Sequence, residues 1–269
     1  MGLLSFLFGC DAKGDYRRKG GEWHYKDHNL SLDGSAELTA LSPTFARTAT
    51  RGYYRELEIT QSDGATFEAL SEHYARDRSH VYYADTYRKA QEYWARRYNR
   101  VAVIEGADPA TFRYLDGDVG KDTRHVYSAG RPVPVKDVAS FVPLGHGFSR
   151  DRVAGYYHLY AIPGSDGATF MPLDDHYAKD GRSAFYVDLV YATSSTPERL
   201  HSVRIEGADV ASFAAVQNGY AKSGTAVFYK GRAVDGADPA TFTVPDMTDA
   251  DVDARDRAAT YYEGKRTAP

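Results

Sequence analysis

Six aspartates recur in almost the same five-residue context, and carboxylates repeated in this way could bind a metal ion or act as acids and bases. Each one opens a segment of the form DGATF, DPATF or DVASF. An aspartate followed by Gly, Pro or Val and then Ala is typical of a residue that caps a short helical turn, with proline suited to the first helical position. We therefore interpret these aspartates as turn-forming residues: Asp63, Asp108, Asp137, Asp166, Asp209 and Asp238.

A second acidic pattern, formed by Asp249, Asp251 and Asp253, alternates like the start of a calcium-binding loop. That loop requires a central glycine and a glutamate at its twelfth position, whereas here the central glycine is missing and the twelfth residue is Thr260. Phosphate-binding loops, the HExxH and GxSxG motifs and the dinucleotide fingerprint have no match in the chain. The sequence thus predicts a protein without metal, cofactor or catalytic residue, and an enzyme of unknown class is kept as an alternative.

The aspartates belong to an internal repeat that runs through most of the chain. The ten-residue segment YARDRSHVYY, Tyr74 to Tyr83, occurs in eight copies whose starts are separated by 29, 29, 45, 29, 29, 43 and 33 residues. A unit with a basic period of 29 residues is too short to bury its own apolar face, so the copies must stack on one another. The copies start at Tyr16, Phe45, Tyr74, Val119, Phe148, Tyr177, Tyr220 and Asp253.

Each copy predicts a short β-hairpin followed by a third strand. Asp and Gly in the middle of the copy favour a tight turn, and aromatic and branched residues flank it. The 22 tyrosines supply apolar mass that fits a pleated sheet better than a helical bundle. We therefore predict an all-β repeat domain over 16–262, stacked as an open or arc-like solenoid, with a closed propeller-like ring as the alternative. Residues 1–15 are assigned to a lead segment and 263–269 to a C-terminal tail.

The last two positions of the copy are aromatic in most repeats, as in Tyr82 and Tyr83. Neighbouring residues of a strand point to opposite faces, so each hairpin is expected to carry rings on both sides and to lie between its neighbours. Exposed rings in a row could instead form a platform for a carbohydrate or a nucleotide. Their recurrence in nearly every unit favours packing between repeats.

The third position of the copy is basic in all eight repeats, and residues stacked in register would form a ladder of positive charge that a phosphate backbone could bind. Aspartate follows directly in five copies, for example Asp77 after Arg76, which indicates local neutralisation. Charged residues beside turns also protect strand edges, and a net charge of −4 gives no reason to expect nucleic acid. The structural interpretation is therefore favoured for Arg18, Arg47, Arg76, Lys121, Arg150, Lys179, Lys222 and Arg255.

The segments YAKDGRSAFY, YARDRSHVYY and GADPATF resemble the bacterial DKNYY family, named for an Asp-Lys-Asn-Tyr-Tyr-like repeat. Asp77, Tyr82 and Tyr83 match that motif, whereas Arg78 and Ser79 replace its Lys-Asn step. The similarity covers about residues 16–262. It implies a bacterial β-repeat protein of unassigned activity, with an expected association with secreted toxins, and it supplies no catalytic residue.

Two insertions interrupt the repeat, at about 84–99 and 188–201. Both follow the paired aromatics, so both should project on the same side, as extended hairpins or as a helix packed on the solenoid. Tyrosine, tryptophan and arginine are the residues that protein interfaces use as anchors. We therefore predict a partner-binding surface formed by Tyr87, Arg88, Tyr93, Trp94, Arg96, Arg97, Tyr98, Tyr191, Glu198 and Arg199.

These observations favour a non-catalytic scaffold that binds another protein, for example an immunity protein that holds a bacterial toxin domain inactive. The acidic segment from Asp246 to Asp256 suits a basic partner such as a nuclease toxin, and neither direct nucleic-acid binding nor a membrane span is expected. The single cysteine, Cys10, excludes an internal disulfide and fits the cytoplasm. The alternative is an exported module that is lipid-anchored at Cys10 and binds glycan or cell-envelope polymer through exposed rings.

Overall fold

The computed structural model describes residues 15–33, 36–89, 97–245 and 251–267. Within these ranges the strands form eight small antiparallel sheets, and no helix is present. The chain divides into two compact units, Met1–Val133 and Pro134–Pro269. The all-β repeat fold expected from the sequence is confirmed, because each of the eight copies corresponds to one sheet.

The first unit contains four sheets whose strands are joined in chain order. The first sheet consists of β1 (Tyr16–Lys19), β2 (Glu22–Tyr25) and β3 (His28–Asn29). The second consists of β4 (Thr39–Ala40), β5 (Phe45–Arg47), β6 (Gly52–Tyr54) and β7 (Leu57–Ile59). The third consists of β8 (Glu68–Ala69), β9 (Tyr74–Arg76), β10 (Val81–Tyr87) and β11 (Tyr98–Val103). The fourth consists of β12 (Arg113–Asp116), β13 (Val119–Lys121), β14 (Val126–Ser128) and β15 (Arg131–Val133).

The second unit repeats this pattern in four further sheets. The first of them consists of β16 (Val142–Gly145), β17 (Phe148–Arg150), β18 (Gly155–Tyr157) and β19 (Tyr160–Ala161). The next consists of β20 (Met171–Pro172), β21 (Tyr177–Lys179), β22 (Ala184–Val190) and β23 (Arg199–Arg204). The third of them consists of β24 (Ala214–Ala215), β25 (Tyr220–Lys222), β26 (Val227–Tyr229) and β27 (Arg232–Ala233). The last sheet consists of β28 (Ala254–Arg255), β29 (Thr260–Tyr262) and β30 (Lys265–Arg266).

Six of the sheets have four strands, one more than the hairpin and third strand that the repeat pattern predicts. The additional strand follows the phenylalanine that closes each DxATF-like segment, as β8 follows Phe67. Its two residues pair with Arg76 and Ala75 of β9. Two residues are too few to show the alternation by which a strand is recognised in a sequence, so this strand depends on the turn that places it beside the hairpin.

The phenylalanine that closes a DxATF-like segment packs between the rings of two successive repeats, as at Phe67. The ring centroid of Phe67 lies 6.0 Å from that of Phe45 and 5.8 Å from that of Tyr82, and all three side chains are buried. Aromatic pairs at such separations stabilise by about 0.5–1.5 kcal/mol beyond the area that they bury. The arrangement recurs at Phe112, Phe170, Phe213 and Phe242.

The paired aromatics of a hairpin point to opposite faces of the sheet, as the alternation of a strand predicts. Tyr82 belongs to the core that contains Phe45 of the preceding repeat, whereas Tyr83 belongs to the core that contains Tyr127 of the following repeat. Each hairpin is therefore a layer between two cores. Burial on both faces explains how strands of three residues are stable.

The tyrosine that opens a copy links its repeat to the next one through its hydroxyl group. The Oη of Tyr177 donates to the carbonyl oxygen of Gly219 at 2.8 Å and accepts the N–H of Gly231 at 3.2 Å. The side chain of Tyr177 is fully buried. Tyr74 makes the same two hydrogen bonds with the repeat that follows it.

Glycine is required where the next hairpin turn lies against the paired aromatics. Gly231 has a φ of +79°, and a Cβ built on it would lie 2.9 Å from the Cβ of Tyr186. Gly130 has a φ of +74° and approaches Tyr83 in the same way. Both the positive φ and the close approach exclude larger residues at this position of the turn.

We expect the substitution Tyr177→Phe to lower the free energy of unfolding by about 1–3 kcal/mol, because the buried N–H of Gly231 loses its acceptor. The ring itself fits, since Phe45 and Phe148 open other copies. Urea denaturation followed by circular dichroism measures the change. The control is Tyr191→Phe, because Tyr191 is 72 % exposed and its variant should differ by less than about 0.5 kcal/mol. Equal effects of the two variants would contradict the role of the hydroxyl.

Alkaline pH is expected to unfold the protein through its buried tyrosines. Burial raises the pKa of Tyr74, Tyr186 and Tyr261 to about 12. In the unfolded chain these groups titrate near 10, so their contribution to stability is complete below about pH 10 and is lost as the pH rises through about 12.

The measurement for this prediction is tyrosinate absorbance followed together with circular dichroism. The ionisation of the buried tyrosines should coincide with the loss of sheet structure, and a sample in guanidinium chloride should titrate near pH 10. Ionisation of all tyrosines near pH 10 with the sheets intact would disprove it.

Candidate protein-binding surface

The aspartate in the hairpin turn of five copies is a hydrogen-bond acceptor for the backbone. In the fifth copy, Asp151 Oδ1 accepts the N–H groups of Val153 and Ala154 at 2.7 and 2.8 Å. Its Oδ2 accepts the N–H of Asp137 at 2.8 Å and the hydroxyl of Tyr156 at 2.5 Å. The same contacts to backbone N–H groups recur at Asp77, Asp122, Asp180 and Asp256.

These contacts favour the ionised form of Asp77, Asp122, Asp151 and Asp256, whose pKa values are lowered. Burial acts to raise the pKa of Asp151, but the Tyr156 hydroxyl and three backbone N–H groups outweigh it and hold the pKa below its usual range. At Asp256 burial is outweighed in the same way, and the pKa falls to about 2. The oxygens of these aspartates accept hydrogen bonds from the backbone and, in most copies, from a tyrosine hydroxyl, and neutralisation of the preceding basic residues stays a prediction.

The aspartates of the DxATF-like segments form turns, as predicted. Asp63 Oδ1 accepts the N–H of Ala65 at 3.2 Å, and its Oδ2 accepts the hydroxyl of Thr66 at 2.8 Å. Thr66 in turn accepts the N–H of Arg78 in the next hairpin at 3.1 Å. Within the described residues, no group of three or more His, Cys, Asp or Glu side chains is placed to hold a metal ion.

The basic residues at the third position of the copy bind the carbonyl end of these turns. Arg76 Nη1 donates to the carbonyl oxygens of Pro109 and Phe112 at 2.8 and 3.0 Å. Lys179 Nζ donates to the equivalent turn at 3.1 Å. Cations at the end of a helical turn stabilise its last carbonyl groups, so the structural interpretation of this position is confirmed. Arg47, Arg150 and Lys222 make equivalent contacts.

The first insertion extends β10 and β11 into a long hairpin, paired as far as Tyr87 opposite Tyr98. The rings of Tyr87 and Tyr98 stack with their centroids 5.6 Å apart. The Nζ of Lys89 lies 4.5 Å from the centre of the Tyr98 ring, and the guanidinium group of Arg100 lies 5.8 Å from that of Tyr87. The described end of this hairpin is therefore an aromatic and cationic surface.

The second insertion forms the equivalent hairpin from β22 and β23, paired as far as Val190 opposite Arg199. Tyr191 follows β22 and is 72 % exposed. Glu198 accepts a hydrogen bond from the hydroxyl of Tyr160 in the preceding repeat at 3.3 Å. Tyr191 and Arg199 are thus available to a partner, whereas Glu198 contacts the repeat behind the hairpin.

Both hairpins lean on the repeat that precedes them. Val101 of the first packs against the core that contains Phe45. Leu189 and Leu200 of the second pack against the core that contains Phe148. Of the two structures considered for the insertions, the described residues adopt the extended hairpin.

The remaining predicted partner residues of the first insertion are Arg88, Tyr93, Trp94, Arg96 and Arg97. Arg97 is exposed before β11, and Arg88 after β10 is half-buried. Tyr93, Trp94 and Arg96 lie outside the described residues. The structure therefore brings together Tyr87, Tyr98 and two cations that flank them, Lys89 and Arg100, and neither cation was in the predicted set.

A groove of about 460 Å³ in the second unit was not predicted from the sequence. One wall consists of residues of the second hairpin, among them buried Tyr186. The other wall consists of the ends of the next two sheets, among them half-buried Tyr229. Comparison of matched positions in the two insertions could have pointed to it, because His201, which lines the groove, stands where the first insertion has Arg100. Its charged or ionisable residues are Asp188, His201, Lys230, Arg232, Glu263 and Lys265.

The fold and its aromatic layers define a tandem β-repeat protein in which four of the hairpins join their aspartate and tyrosine by a hydrogen bond. The chain belongs to the DKNYY family, whose family model matches residues 87–265. The resemblance found in the repeats is confirmed, and Asp151 and Tyr156 show how the acidic and aromatic residues of the motif interact. No curated protein and no solved structure matches the chain significantly. No helix in the described ranges is suited to crossing a membrane.

We expect Asp151→Asn to lower the free energy of unfolding by about 3 kcal/mol at neutral pH. Asparagine has one acceptor oxygen in place of two. The amide nitrogen in the other position accepts neither the Tyr156 hydroxyl nor the N–H of Asp137. The contribution of Asp151 is complete above the pKa of an unfolded aspartate, near 3.9, and is lost as the pH falls through its lower folded value. The difference between wild type and variant should therefore narrow in acid.

Urea denaturation at a series of pH values measures this difference. The matched control is Asp175→Asn, because the Asp175 side chain is exposed and pairs with His146 at the surface. Such a pair contributes at most about 1 kcal/mol. A variant at Asp151 that is no less stable than this control at neutral pH would show that the turn carboxylate is dispensable.

Proposed function

We propose that the chain is a non-catalytic β-repeat scaffold that binds another protein through the ends of its two extended hairpins. The observation that carries this proposal is that the hairpins share one register and differ at their exposed ends. Tyr87 and Tyr98 of the first hairpin correspond to Val190 and Arg199 of the second. Exposed residues that vary on a fixed frame are typical of recognition surfaces on repeat proteins.

The polar residues that recur through the repeats support a non-catalytic role, because their functional atoms are used within the fold. The carboxylate of Asp151 accepts three backbone N–H groups and a tyrosine hydroxyl. The ammonium group of Lys179 binds two carbonyl oxygens. Binding a protein requires complementary shape and charge but no reactive group, and the hairpin ends can supply both.

The contacts of the exposed rings favour a protein over a glycan as the ligand. A sugar stacks on an open aromatic face, but the ring of Tyr98 contacts both Tyr87 and the ammonium group of Lys89. The guanidinium group of Arg100 lies over Tyr87. Tyrosine and arginine packed together are the residues that contribute most to protein interfaces.

We further propose that the partner is a basic bacterial toxin domain, such as a nuclease, and that the chain acts as its immunity protein in the cytoplasm. The net charge of −4 supports a basic partner. Part of the acidic segment named for this purpose, 246–250, lies outside the described residues. Asp253 and Asp256 accept hydrogen bonds within the last repeats, so the charge of the whole chain carries the argument.

The proposal is tested by co-expression with toxin domains encoded beside the gene and by affinity capture of those domains. We expect the wild type to protect cells that produce the toxin domain. Tyr87→Ser and Tyr191→Ser should each weaken binding by about 2 kcal/mol, because each ring is proposed as an anchor. Both side chains are exposed, so circular dichroism should show an unchanged fold.

The control for these variants is Tyr262→Ser, because Tyr262 is exposed but lies in β29, outside both hairpins. It should bind the toxin domain like the wild type. A gene without a neighbouring toxin, together with a failure of co-expression to protect, would refute the immunity role. Equal binding by all three variants would refute the hairpin ends as the surface.

A further inference from the structure

On the first extended hairpin, side chains of the protein itself cover the face that is turned toward the following repeat. Across the strand pair, Arg100 Nε and Nη2 donate to the two carboxylate oxygens of Asp85 at 2.6 and 2.7 Å. Near the base of the hairpin, the hydroxyl of Tyr83 donates to Asp118 Oδ1 of the next repeat at 3.0 Å. Arg100 thus pairs with Asp85, and Asp118 accepts the hydroxyl of Tyr83, so these polar groups have partners within the chain.

The second hairpin keeps the acidic residue of this face but lacks the arginine. Asp188 stands at the position of Asp85, and His201 opposite it stands at the position of Arg100. Within the described chain Asp188 forms no ion pair, and the N–H of Leu189 is the group that donates to its carboxylate. An imidazole cannot give the two parallel hydrogen bonds that a guanidinium gives to a carboxylate.

The second hairpin also keeps the tyrosine of this face but lacks the aspartate. Tyr186 stands at the position of Tyr83. Gly219, directly before the seventh copy, stands where Asp118 stands directly before the fourth copy. Among the described residues, none replaces the Asp118 carboxylate as acceptor for the hydroxyl of Tyr186. The loss of both side chains leaves the groove of about 460 Å³ at this place.

The opposite wall of the groove is predominantly cationic. Lys230, Arg232 and Lys265 line it together with Glu263. The Nζ of Lys230 lies 5.3 Å from the centre of the Tyr229 ring. Within the described ranges none of these three cations forms an ion pair. The groove thus presents one carboxylate on the hairpin side and an excess of positive charge on the other.

We propose that this groove binds a segment of a partner protein in which an arginine stands beside an acidic residue. The arginine pairs with Asp188, as the arginine of the first hairpin pairs with its own aspartate. The acidic side chain lies between the hydroxyl of Tyr186 and the cations of the opposite wall. A pocket of this size has room for two side chains. The inference rests on the proposed function and names the chemistry that the partner presents at the second hairpin.

The first experiment is an NMR titration of the isotopically labelled full chain with the capped tetrapeptide Gly-Arg-Asp-Gly at millimolar concentration. We expect shifts of the amide signals in 186–190, 201–203 and 230–232, which border the groove. The uncharged analogue Gly-Gln-Asn-Gly should leave them in place. Absence of shifts with the charged peptide, or equal shifts with both peptides, would overturn the proposal.

The second experiment is the variant His201→Arg, which restores the ion pair seen in the first hairpin. It should weaken binding of the charged peptide by about tenfold or more, because the new arginine occupies Asp188. The fold should be retained, since the first hairpin contains the same pair. The matched control is Arg100→His, which changes the first hairpin and should leave the titration unchanged.

The two proposals fail in different ways. Peptide binding that His201→Arg does not weaken would overturn the assignment of the groove. If Tyr87→Ser or Tyr191→Ser still abolished capture of the toxin domain, the proposed function would stand without the groove. Loss of capture by His201→Arg, together with loss of peptide binding, would support both.

Discussion

The ring of a DxATF-like phenylalanine such as Phe67 lies between the rings of two successive hairpins, and the remaining structure depends on this shared aromatic layer. A unit of 29 residues has no interior of its own, so Phe67 is buried only because Phe45 and Tyr82 from adjacent repeats enclose it. Hydrophobic burial is therefore a property of neighbouring units, as in other solenoids. Tyrosine suits this layer because its ring packs while its hydroxyl, as in Tyr177, bonds the next repeat.

The polar contacts fix the distance and register that the aromatic layer requires. A carboxylate such as that of Asp151 is buried, which is unfavourable unless its oxygens are satisfied. Here it receives donors from its own turn, from the preceding DxATF-like segment and from a tyrosine of its own hairpin. Changing the offset between repeats would remove the donor that the preceding segment supplies at Asp137. The same charges that suggest chemistry in the sequence are therefore used to join repeats.

Once the frame is fixed in this way, exposed residues can change at little structural cost. The two long hairpins illustrate this, because their inner faces pack on the preceding repeat while their outer residues differ. In the first, Arg100 neutralises Asp85 within the chain. In the second, His201 leaves Asp188 without an ion pair within the described residues. Exchange of two residues, Arg100 to His201 and Asp118 to Gly219, thus turns an internally satisfied face into a polar groove, which is how a repeat frame can acquire a binding site.

The sequence by itself determined the repeat, its hairpins, the turn role of Asp63 and the opposite directions of Tyr82 and Tyr83, because all of these follow from local spacing and residue type. Only the tertiary structure decided which groups the repeated charges contact and where the groove lies. Asp151 is satisfied by groups from separate segments, and the groove combines Asp188 with residues of the next two repeats. Such contacts depend on the offset at which units stack, and no local pattern encodes that offset.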